Sequence, residues 1–214
     1  IIHDASINPL HIVLAIDRAG IVGGDGETHQ GIFDVPMLTA IPGVTIYSPF
    51  NYTELERELK LAFESAGVQA VRYPRDSEKA VLPKYMTSYS DFDFFENGKD
   101  SLIVTYGRLF AEACSAAEIT GASVLKLGKI FPIASEAIKK VASFKNVFFF
   151  EESVQNGSIA EHFGTVLYET SFRGRYIIKC VEGFVPHMKV SSAMKKYGLD
   201  GESMAALIEK EALK

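Results

Sequence analysis

Arg18, Asp25, His29 and Arg75 are the residues whose types and spacing could do chemistry. The first three share one loop, Asp17-Arg-Ala-Gly-Ile-Val-Gly-Gly-Asp-Gly-Glu-Thr-His-Gln-Gly31, which carries five glycines. An arginine presents a rigid fork of donors that suits phosphate oxygens. Arg18 and Arg75 each follow a predicted parallel strand of the same sheet. Neighbouring strands lie about 4.8 Å apart, so the two can converge on one anion. Asp25 offers an acceptor to a substrate hydroxyl. His29, four residues on, can bind an oxyanion or pass a proton near neutral pH. The glycines let the backbone take positive φ and come close to a ligand. Plainer alternatives exist for each residue. Arg18 could pair with Asp17 or Asp34, and Arg75 could sit in a salt bridge at a domain linker. Asp25 could close a local turn, and His29 could cap a backbone carbonyl.

The elements that would position these residues alternate as strand and helix, which points to an α/β chain of two consecutive open, mostly parallel sheets flanked by helices. The apolar run His11–Ile16 reads as a strand feeding the glycine loop. Met37–Ala40 reads as the end of a short helix, closed by Ile41-Pro-Gly43. Val44–Tyr47 and Val68–Tyr73 read as strands, ended by Ser48-Pro49 and Pro74. Between them Asn51–Phe63 has helical spacing at Leu55, Leu59 and Phe63, with Thr53 or Asn51 as cap. The polar stretch Asp76–Lys99, with aromatics from Tyr85 to Phe95, reads as a linker packed down by its rings. A second α/β unit follows, with strands at Leu102–Tyr106, Ser123–Leu127, Asn146–Phe150 and Tyr176–Cys180. Its helices are expected at Leu109–Glu118, Ser135–Val141 with a serine cap, Ser158–Tyr168 and Glu202–Leu213. Ile1–Ile7 resemble the last turns of a helix, which suggests a fragment of a longer chain.

Other polar clusters carry weaker signals. Gly24-Asp-Gly26 with a later Asn51 has the outline of a metal–diphosphate motif. However, Asn51 opens a helix, and no clean βαβ layout separates the two, so the spacing is read as coincidence. Glu151-Glu152 could do acid–base work, but they precede a turn and helix start, where carboxylates stabilise the N-terminus. His162 and His187 have no neighbour at metal-ligand spacing. Cys114 and Cys180 are far apart and read as core thiols of a reducing compartment. The 214 residues are 47% hydrophobic and 23% charged, as in a globular protein with a real core. A net charge of -5 argues against general nucleic-acid binding. No apolar run is long enough to span a bilayer.

Several of these segments together resemble the 1-deoxy-D-xylulose-5-phosphate synthase family of transketolase-like, thiamine-diphosphate-dependent enzymes. They are Ala15–Gly31, Phe33-Asp34, Ile41-Pro42, Val71-Arg-Tyr-Pro-Arg75, Glu151-Glu-Ser and Tyr197-Gly-Leu-Asp200. The match covers essentially the whole chain; the loop is its most specific part, and the C-terminal half is looser. The resemblance implies a partial pyrimidine-binding domain over 1–80, a linker over 81–100 and a transketolase C-terminal domain over 101–214. The family's first domain, which binds thiamine diphosphate and Mg²⁺, has no counterpart here, and no glutamate here matches the one that activates the cofactor. The implied activity joins pyruvate to glyceraldehyde 3-phosphate with loss of CO₂, feeding isoprenoid, thiamine and pyridoxal phosphate synthesis. By motif, Arg18 and Arg75 would hold the acceptor's phosphate and Asp25 a hydroxyl, and His29 would sit near the reacting carbon. A cytoplasmic homodimer is implied, with no membrane or nucleic-acid partner, and the isolated chain is expected to be inactive. Two alternatives stand beside it: a stand-alone subunit of a split transketolase-like enzyme, and a non-catalytic module that binds a phosphorylated metabolite.

Overall fold

A computed structural model describes every residue except Pro9, Tyr89, Lys99, Leu213 and Lys214. The first sheet begins with three parallel strands: β1 (Ile12–Ile16), β2 (Val44–Tyr47) and β3 (Val68–Arg72). β3 lies between the other two and is buried along its whole length, as a central parallel strand must be. A fourth strand, β7 (Lys129–Phe131), pairs antiparallel with β2 and comes from the second half of the chain. The second sheet runs β4 (Phe92–Phe95), β6 (Ser123–Leu127), β5 (Ser101–Tyr106), β8 (Asn146–Val154), β9 (Arg175–Val181). All but β4 are parallel. The chain leaves β6 at Leu127, turns at Gly128 and enters the first sheet at Lys129. The two sheets therefore interlock, and one apolar cluster includes Ile46 and Ala70 of the first with Leu102, Val104, Leu125 and Phe149 of the second.

The segment expected to be a linker holds β4, which forms the edge of the second sheet. Its aromatics do pack: Tyr85 is buried against Phe95 and Phe110, with ring centroids 5.5 and 6.4 Å away. Tyr89 and Lys99 of that segment lie outside the described residues. The helices are α1 (Asp34–Thr39), α2 (Tyr52–Glu64), α3 (Leu109–Thr120), α4 (Ser135–Val141), α5 (Ile159–Tyr168), α6 (Val190–Tyr197) and α7 (Gly201–Ala212). Leu213, expected to end α7, lies outside the described residues. Ile2–Ser6 form a single wide turn. Ser158 caps α5, accepting from the Glu161 amide at 3.1 Å. Ser135 does not cap α4. Ala134 holds that position, and the Ser135 hydroxyl turns to Glu136. Helix α6 is not among the expected helices, although Val190, Ala193, Met194 and Tyr197 carry amphipathic spacing.

Helix α2 keeps its expected face at Leu55 and Leu59, which pack against Tyr47, Ala62 and Val71, and departs from it at Phe63. Asn51 is the cap, accepting from the Glu54 amide at 2.8 Å, and Glu54 returns a bond from the Phe50 amide at 2.7 Å. Phe63 is 65% exposed, whereas Glu54, Glu58 and Ala62 are buried. The reason is Lys126 of β6, whose ammonium meets Glu54 at 2.7 Å in a pair that is almost fully buried. Glu58 lies in the same buried region, and its Oε2 has no partner among the described residues. Burial pushes its carboxyl well above the usual range, opposed by Lys126 and helped by Glu54. A raised folded-state value means that the folded chain holds this proton more tightly than the unfolded one. The Glu58 contribution to stability therefore falls as pH rises above about 4.5. Glu58→Gln should flatten that slope: in urea titrations between pH 5 and about 8, the wild type loses stability that the variant keeps. Parallel slopes would contradict it.

Candidate functional site

Arg18 and Arg75 stand just beyond adjacent strand ends. Ile16 of β1 pairs with Arg72 of β3, and the pairing continues past both, with Tyr73 N–H donating to Ile16 O and Ala19 N–H to Tyr73 O, each at 3.0 Å. Arg18 has φ 62°, a left-handed conformation uncommon for a side-chain-bearing residue. Its Nε donates to Asp25 Oδ2 at 2.9 Å, and its backbone N–H and Nη1 reach Asp17 at 2.7 and 3.3 Å. Arg75 Nη1 donates to both Asp25 oxygens, at 2.8 and 2.9 Å. The two guanidiniums thus converge on one anion, the carboxylate of Asp25. The Arg18 hydrogen bond, with Arg75 behind it, holds that carboxyl below the usual carboxylate range. Of the plainer alternatives, Arg18 does pair with Asp17, but Asp34 goes to Arg72 instead, and Arg75 takes Asp25 rather than a linker residue. His29 is exposed, and its Nδ1 lies 3.0 Å from Thr28 Oγ1. The structure brings together Arg18, Asp25 and Arg75, and gives His29 no bond to them among the described residues.

The loop that carries them closes on itself. Gly20 and Gly31 exchange backbone bonds of 2.7 and 2.8 Å. Gln30 is buried inside, accepting from the Val22 and Gly23 amides at 2.7 and 3.3 Å and donating to Gly26 O at 2.7 Å. Arg72 anchors the far end, with a fork on Asp34 at 2.8 and 3.2 Å and a bond to Gly31 O at 3.2 Å. Neither Gln30 nor Arg72 stands out by residue type alone, although both lie inside the motifs Asp17–Gly31 and Val71–Arg75. A Cβ on Gly31 would lie 2.0 Å from the Arg18 carbonyl oxygen, backbone that cannot step aside. Gly31→Ala should cost about 1–3 kcal/mol locally, seen as ten- to hundredfold faster amide exchange at Gly20 and Gly31. Gly24→Ala, whose Cβ meets nothing within 4 Å, is the control that should leave exchange unchanged.

The remaining candidates make no hydrogen bond to Arg18, Asp25 or Arg75 among the described residues. Glu151 is on β8, which runs four residues past its expected end, and it accepts from the Ile159 and Ala160 amides at 3.2 and 2.8 Å and from the Tyr106 hydroxyl at 2.6 Å. It therefore serves the start of α5, although burial still pushes its carboxyl up. Glu152 takes Arg108. His162 lies against the Phe131 ring, centroids 5.7 Å apart, and His187 is exposed. Cys114 and Cys180 are buried free thiols. Asn51 is committed to capping α2 and Asp25 to two arginines. Among the described residues, no group of three or more His, Cys, Asp or Glu could hold a metal ion.

Residues 1–79 match the family described as "Transketolase, pyrimidine binding domain", and residues 93–204 match "Transketolase, C-terminal domain". The chain is 35% identical over 217 aligned residues to the 1-deoxy-D-xylulose-5-phosphate synthase of Dehalococcoides mccartyi strain BAV1, covering 96% of the chain and 34% of that protein. To the synthase of Caldanaerobacter subterraneus it is 33% identical, covering 97% of the chain and 35% of that protein. The chain thus spans about a third of the length of these curated relatives. Among solved structures, it superposes on one described as "Split gene transketolase, inactive beta4 tetramer" with a TM-score of 0.82 at 23% identity, covering 98% of the chain and 70% of that one. A transketolase mutant from Pichia stipitis gives 0.77 at 17% identity, with 96% and 30% covered. The chain belongs to the transketolase family, with a pyrimidine-binding region followed by a C-terminal domain.

Proposed function

We propose that this chain supplies the acceptor-phosphate side of a thiamine-diphosphate-dependent transferase site, and that the reaction is the one its family resemblance implies: pyruvate and glyceraldehyde 3-phosphate joined with loss of CO₂. The observation that carries this reading is the convergence of Arg18 and Arg75 on a single carboxylate. A phosphate group offers the same donors more oxygens and a second negative charge, so it can take the place Asp25 now fills. Asp25, once released, is left beside the bound acceptor with both oxygens free for its hydroxyl. His29, exposed on the same loop, is read as the group that holds or passes a proton during the reaction.

Thiamine diphosphate and Mg²⁺ belong to this reading as groups held by another part of the enzyme. That part is either a longer version of the chain or a separate subunit; a relative whose printed name is a split-gene transketolase supports the second form. A cytoplasmic homodimer completes the proposal, and the free thiols suit a reducing compartment. The test is complementation. The chain is assayed with cofactor, Mg²⁺, pyruvate and glyceraldehyde 3-phosphate, alone and with the N-terminal part of a synthase relative. CO₂ release and sugar phosphate formation only in the complemented mixture are expected. Turnover by the chain alone would overturn the view that its site is half complete.

A further inference from the structure

Arg108 opens α3 in the second half of the chain, yet its guanidinium binds two segments of the first. Its Nε lies 3.0 and 2.9 Å from the two Glu152 oxygens, and Nη2 is 2.7 Å from Glu152 Oε1. Nη2 also donates to the Ile21 carbonyl at 2.5 Å, and Nη1 to Asp76 Oδ2 at 3.4 Å. Arg108 and Glu152 are only 7% and 6% exposed. The two outer partners are informative by position. Ile21 lies on the glycine loop just after Arg18, and Asp76 directly follows Arg75. One buried guanidinium therefore ties down both segments that carry the exposed arginines. Glu152 fits the same design: it fills the space beneath Gly20, where a Cβ would come within 2.4 Å of its Oε2.

A core ion pair kept for stability alone would be complete with Glu152, and apolar residues of similar volume often serve as well. Here the remaining donors are spent on two different backbone segments. We propose that Arg108 is a positioning residue for phosphate-ester binding: it fixes the spacing of Arg18 and Arg75, and through it their joint grip on a phosphate group. This rests on reading those two arginines as a phosphate site. The geometry explains why spacing matters, because two forks must reach oxygens of one small group at once. Hydrogen bonds weaken steeply once stretched or bent, so a displacement of about 1 Å in either arginine breaks the joint contact. Lysine cannot replace Arg108, because a single ammonium reaches Glu152 but not the planar set of Ile21, Asp76 and Glu152 together.

The test is calorimetric titration of the chain with sn-glycerol 3-phosphate, comparing wild type with Arg18→Ala, Arg108→Lys and the double variant Arg108→Met/Glu152→Leu. The double variant removes both buried charges together, so no carboxylate is left stranded, and its thermal midpoint reports that the fold is kept. The expected result is saturable binding by wild type, with affinity about tenfold weaker in Arg18→Ala and in both Arg108 variants while the fold stays intact. Wild-type affinity in a folded Arg108 variant would overturn the positioning role and leave the phosphate reading standing. No saturation by wild type, or full binding by Arg18→Ala, would overturn the phosphate reading and this proposal with it. If the double variant does not fold, Arg108→Lys, which keeps the charge opposite Glu152, decides.

Discussion

Lys126→Met is expected to lower the unfolding free energy by about 3–5 kcal/mol. Lys126 and Glu54 are both almost fully buried, with nitrogen and oxygen 2.7 Å apart. Removing the lysine leaves Glu54 without its counter-charge beside Glu58, which is already short of a partner. A stranded buried charge costs far more than the net worth of the pair, and total stability of a domain is only about 5–15 kcal/mol. The pair also joins the two halves, since α2 flanks the first sheet and β6 lies in the second. The loss should therefore appear as one cooperative transition shifted to lower urea, not as separate melting of one sheet. Replacing both partners, as Lys126→Met with Glu54→Gln, should recover a large part of the loss. A single variant that costs under about 1 kcal/mol would contradict the burial argument.

Arg18→Ala with Arg75→Ala should weaken phosphate-ester binding at least about a hundredfold, with about tenfold for each single change, the scale expected for hydrogen bonds to a charged group. Both side chains are substantially exposed, 45% and 59%, so the fold should hardly notice. pH separates the ligand's titration from the protein's. Asp25 is held below the usual carboxylate range, so its contact with the arginines is complete above that range and is lost only as pH falls through the lowered value. Between pH 5 and about 8, Asp25 competes with constant strength, and affinity should rise as the phosphate takes its second charge near pH 6. Affinity that falls with rising pH in that window would contradict a two-arginine phosphate site.

Much of this was legible because the relevant signals are local. β2 and β6 have the bounds their apolar runs suggest, with Ser48-Pro49 closing β2. Arg18 and Arg75 could be brought together in advance because each follows a strand of one parallel sheet. What stayed hidden depends on distant partners. Asp25 serves as the shared anion only once the loop has folded back over Arg75, fifty positions away. The apolar stripe on α2 pointed to Phe63, whereas a buried lysine from the other sheet pulls Glu54 inward. β7 is three residues long, too short to show alternation, and β4 reads Phe-Asp-Phe-Phe inside a polar stretch that resembles a connection. Arg108 carries no motif at all; its meaning lies in Ile21, Asp76 and Glu152, which the chain brings to it from three directions.

The phosphate site is tested most directly by following the arginine Nε–Hε signals of the chain by NMR while glyceraldehyde 3-phosphate is added. The signals of Arg18 and Arg75 should shift together along one saturable curve, with the Asp25 carboxylate resonance moving as its two partners leave it. Saturable binding that leaves both arginines and Asp25 unmoved would place the ligand elsewhere and contradict the site described for this chain.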